Sequence, residues 1–66
     1  MEEEEILEMI KKKGTRVTTM KVIGDAASLE TAVAVAELLA ALESQRVLRR
    51  GSIVDTLFRM QEALTN

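Results

Sequence analysis

The sequence predicts a small, mostly α-helical single domain of three to four helices with at most a short β element. Three observations predict it. Ser28 to Ser44 is a long apolar-periodic stretch that contains no Gly and no Pro. Glu2 to Lys13 opens with four Glu and closes with three Lys, the order that complements a helix dipole. Ile53, Leu57, Met60 and Leu64 recur at the spacing of one helical stripe. Sixty-six residues make one domain, and no internal repeat, low-complexity segment or linker divides it.

In chain order, the first helix covers Glu2 to Lys13. Ile6, Leu7 and Ile10 form its apolar side, with Met9 at the edge, and Gly14 stands where a helix stops at C′. Thr15 to Ile23 is ambiguous. Its β-branched residues favour a strand, while Thr18 also suits the cap of a short helix from Thr19 to Gly24, and periodicity over so few residues decides nothing. Gly24, Asp25 and Ser28 mark the turn into the long helix.

That helix has Ser28 as N-cap and Glu30 in its first turn. Val35, Leu38, Leu39 and Leu42 form a broad apolar face, and Leu29, Val33, Ala36 and Ala40 a second face of smaller residues. Only the stripe Glu30, Ala34, Glu37, Ala41 and Ser44 is left for water. So apolar a helix reads as nearly central, with neighbours on two sides. It is not a membrane span: Glu37 interrupts the apolar run, and spanning needs about 20 predominantly apolar residues.

Gln45 to Arg50 reads as a short extended segment that Gly51 breaks. Ser52 then caps the last helix, with Asp55 in an S-x-x-D box, and the helix runs to about Leu64. Val54 and Phe58 widen its stripe. The spacing is that of a coiled-coil seam, which either packs within the monomer or, the reading favoured by so short a chain, assigns Ile53, Leu57, Phe58, Met60 and Leu64 to self-association.

Composition removes whole classes of chemistry. With no Cys there is no disulfide and no thiolate metal site, and with no His the commonest acid–base group and metal ligand is absent. No Ser-His-Asp set, Cys-His set or phosphate-binding Gly-rich loop occurs, so the expectation is a protein that is not an enzyme, with no cofactor, metal or small-molecule substrate. One Phe and no Trp or Tyr provide almost no platform for stacking single-stranded bases. The net charge of −2 hides blocks: five Glu in residues 2–8, five cations in 11–21, acids alone in 25–43 and three Arg in 46–50. The acidic start without an apolar run argues against a signal peptide, and with the lack of Cys it points to the cytoplasm.

Two families resemble parts of the chain. Ile6–Gly14 looks like the first helix of the winged helix-turn-helix superfamily, Val17-Thr18 and the short helix after it like the second, and Leu42-Glu43 through Val47-Leu48-Arg49-Arg50 like the end of the third running into a wing strand. The chain departs in having Arg46 where that family often has Gly, and in passing from Gly51-Ser52 into a helix where a second wing strand belongs. This resemblance implies binding of double-stranded DNA. Met20–Gly24 and Val47–Ile53, each leading into a helix, also resemble the βαβα start of Alba-type nucleic-acid-binding proteins.

The residues argue against the long helix as a base reader. Its exposed stripe offers Glu30 and Glu37 in place of Arg, Lys, Asn or Gln. Phosphate contacts fall instead to Lys11, Lys12, Lys13, Arg46, Arg49 and Arg50. A chain this short also has little room to hide both apolar faces of its long helix. The leading expectation is therefore a protein-interaction module, homodimeric through its C-terminal helix or bound to another protein. A DNA-binding regulator is the alternative.

Overall fold

The computed structural model describes residues 1–65 as four helices: α1 Glu3–Lys13, α2 Thr15–Gly24, α3 Leu29–Ser44 and α4 Arg50–Thr65. No strand occurs among the described residues. The mostly α class stands. The extended segment expected at Gln45–Arg50 is a turn that leads into α4, and both strands of the Alba-type resemblance fall on helix or turn.

Helix boundaries follow local chemistry. In α1 the backbone N–H of Glu2 donates to Glu5 Oε1 at 3.3 Å, and the first turn is acidic and the last basic. Gly14 is the whole connection between α1 and α2. Its N–H closes α1 on the Ile10 carbonyl at 2.8 Å, and its φ of 90° lies where an L side chain is strained. Ser28 caps α3 as its sequence position predicts, accepting from the Thr31 N–H at 3.2 Å.

α3 ends in a Schellman motif: the Arg46 N–H donates to the Glu43 carbonyl at 2.9 Å and the Val47 N–H to the Leu42 carbonyl at 2.8 Å. The left-handed residue of that motif is Arg46, with φ 61°. α4 begins two residues before its expected cap. The Ile53 N–H bonds to the Arg49 carbonyl at 3.1 Å, which places Gly51 and Ser52 inside the first turn. Asp55 pairs with Arg59 at 3.1 Å instead of closing a capping box.

α2 settles the ambiguous stretch as helix over its full length, beginning at Thr15 and not at Thr19. Its β-branched residues disfavour a helix only weakly, and burial outweighs them. Thr15, Thr18, Thr19, Val22 and Ile23 are all buried. The Thr18 hydroxyl returns to the Gly14 carbonyl at 2.8 Å and the Thr15 hydroxyl donates to Glu43 Oε2 at 2.6 Å. Thr19 Oγ1 has no partner.

The expected central position of α3 is overturned, because α2 holds it. α2 touches α1, α3 and α4, whereas α3 packs on α2 and scarcely on anything else. The two run antiparallel, with Thr15 opposite Glu43 and Gly24 opposite Ala32. They approach closely where small residues meet: a Cβ placed on Gly24 would lie 4.0 Å from that of Ala32. The core joins Ile6 and Ile10 of α1, Val22 and Ile23 of α2, Ala32 and Leu39 of α3, and Ile53, Val54 and Leu57 of α4. Full burial of an aliphatic side chain such as Ile23 contributes about 1.5–3 kcal/mol.

Candidate interaction surfaces

Three surfaces bear on function. The first is the seam expected on α4, which the bundle divides. Ile53 and Leu57 are fully buried in the chain's own core, so neither is free to meet a partner. Phe58 and Met60 pack against that core and remain half-buried. Leu64, in the last turn, is 45% exposed. Regular apolar spacing made the stripe conspicuous, but α1 and α2 cover most of it.

The second surface is the outer side of α3. Ala32, Ala36 and Leu39 are its only buried residues. Leu38 is 59% exposed, with Ala34 and Ala41 open beside it and Val35 and Leu42 half-buried. The stripe assigned to water (Glu30, Ala34, Glu37, Ala41 and Ser44) is exposed throughout. Leu38 has joined it, because only one helix packs on α3 where two were expected. An uncovered apolar strip therefore runs along α3. Glu37 at its edge pairs with Arg16 of α2 at 3.6 Å, an exposed contact worth about 0–1 kcal/mol.

The third surface is an end of the bundle. The Thr15–Glu43 hydrogen bond ties the start of α2 to the end of α3. Lys11–Lys13 lead into Thr15 and Arg46–Arg50 leave from Glu43, so the two basic blocks meet at that end. With Arg16 they account for seven of the nine cations in the chain. Asp25 and Glu62 stand together at the other end, where the Met1 ammonium donates to Gln61 Oε1 at 2.9 Å. Glu3 and Glu4 of α1 instead lie beside Gly51 and Val54 at the start of α4, next to Arg50. The modest overall charge thus conceals a local gathering of cations, hidden in the sequence until the antiparallel course of α2 and α3 is known.

An open cleft of about 460 Å³ lies at the opposite end between α2 and α4, lined by Lys21, Val22, Asp25, Gln61, Glu62 and Thr65 among others. Its charges are exposed, and it brings together no nucleophile, base and orienting group. No helix among the described residues is long and apolar enough to cross a membrane, and no three His, Cys, Asp or Glu side chains among them converge on a metal-sized site. Comparisons with protein-family models, curated proteins and solved structures find no match to the chain.

Proposed function

We propose that this chain is a non-enzymatic protein-interaction module that self-associates. One observation carries the reading: an apolar strip with Leu38 at its middle faces solvent along α3, outside the chain's own core. Burying such a strip against another surface returns about 25 cal/mol per Å² of apolar area. α4, the helix first expected to associate, offers only Phe58, Met60 and Leu64 at its far half, so the contact shifts to α3. A chain without Cys depends on no disulfide, which suits a reducing compartment such as the cytoplasm. Sedimentation velocity across about 1 to 100 μM, a range that brackets micromolar affinity, tests the reading. The expected result is a rise toward twice the monomer mass; a monomer at every concentration defeats it.

A second reading, a winged-helix-like DNA-binding regulator, is favoured by the gathering of seven cations at one end. The helical state of Thr15–Gly24 is in keeping with it. Its contacts would be to phosphates, since α3 shows Glu30 and Glu37 to solvent. A gel shift with generic duplex discriminates the two: retardation that fades steeply with added salt favours DNA, and none at low salt removes it.

A further inference from the structure

The occupant of the α3 strip is written in its own residues. We infer that α3 pairs antiparallel with α3 of a second copy, about a two-fold axis at Leu38. This rests on the self-association proposed above and specifies its geometry.

Register is the first argument. In an antiparallel pair centred on Leu38, residues equally far before and after it face each other. Leu38 then meets Leu38 of the second copy. Ala34 meets Leu42, and Val35 meets Ala41, so on either side of the Leu38 pair a larger side chain faces a small one. That is the complementarity an isologous helix contact requires. The same strip in a parallel arrangement sets Leu42 against Leu42 and leaves a gap between facing Ala34 residues.

Charge is the second argument. Glu30 lies eight residues before Leu38 and Arg46 eight after it, each about 12 Å along the axis. The antiparallel register therefore sets the arginine-bearing turn of one copy, Arg46 with Arg49 and Arg50, against the acidic first turn of the other, and does so twice. Glu37 is the one like-charged pair near the axis, and Arg16 neutralises it within each copy.

Backbone strain points the same way. Arg46 occupies the left-handed position that closes α3, with φ 61°, a site where Gly is the usual and less strained residue. An arginine kept there at the cost of strain points to use of its side chain. The contact just described supplies that use.

The chain has no native Cys, which permits a direct test. Under mild oxidation the Leu38→Cys variant should form a disulfide-linked dimer rapidly, whereas Ser52→Cys, exposed in the first turn of α4, should not. Glu30→Arg and Arg46→Glu should each weaken the dimer about fivefold, as expected for two exposed ion pairs, and the double swap should restore it. If the wild type dimerises but Leu38→Cys crosslinks no faster than Ser52→Cys, the α3 interface is overturned while self-association stands. If Leu38→Cys crosslinks but the double swap recovers nothing, the antiparallel register is overturned. A wild type that never leaves the monomer removes both this interface and the function proposed above.

Discussion

α2 and α3 invert the usual link between a helix's composition and its place in a fold. α3 is 16 residues long and rich in Ala and Leu, yet only three of its side chains are buried. α2 is 10 residues long and rich in Thr and Val, yet five are buried. What separates them is the number of neighbours. α2 is enclosed by three helices and α3 leans on one. Apolar content gives the capacity to be buried; topology decides whether it is used.

Truncating one aliphatic side chain on each helix puts this contrast to its hardest test. Ile23→Ala on α2 opens a cavity in the core and should cost about 2–5 kcal/mol, whereas Leu38→Ala on α3 should cost the monomer less than about 0.5 kcal/mol. Urea denaturation of each variant at a concentration where the chain is monomeric measures both. Equal losses would mean that α3 is as enclosed as α2.

The two corner residues extend the comparison at smaller size. Gly14, which opens α2, has a backbone suited to Gly, and an added Cβ would touch nothing within 4 Å. Gly14→Ala therefore isolates backbone strain and should cost about 1–3 kcal/mol. Arg46, which closes α3, is the reverse case, and Arg46→Gly should stabilise the monomer by up to about 1 kcal/mol. Thermal melts of both variants should shift in opposite directions.

The smallest effect concerns the polar side of α2. Thr19 buries a hydroxyl without a partner, so Thr19→Val, which replaces it with a methyl of similar shape, should stabilise by about 1 kcal/mol. A loss of stability in the urea midpoint would show that the hydroxyl is satisfied after all.

Sequence reasoning reached what short-range chemistry decides. Ser28 and Gly14 mark helix ends because capping and positive φ are local demands, and the charge pattern of α1 is likewise its own. It stopped at whatever depends on distant neighbours. α2 carries no clear helical period, since its threonines are buried on more than one side. The stripe on α4 has the same spacing whether α1 covers Ile53 and Leu57 or another chain does. The basic end is spread over two separate blocks of sequence, and only the antiparallel pairing of α2 with α3 unites them.

The connections between helices are one, four and five residues long. Little chain entropy is lost in bringing successive helices together, because closure cost grows with the length of chain enclosed. Only the docking of α4 on α1 and α2 joins helices that are not consecutive in the chain. A fold assembled so largely from near neighbours belongs to the rapid class, forming in microseconds to milliseconds, where a temperature jump rather than manual mixing would follow it.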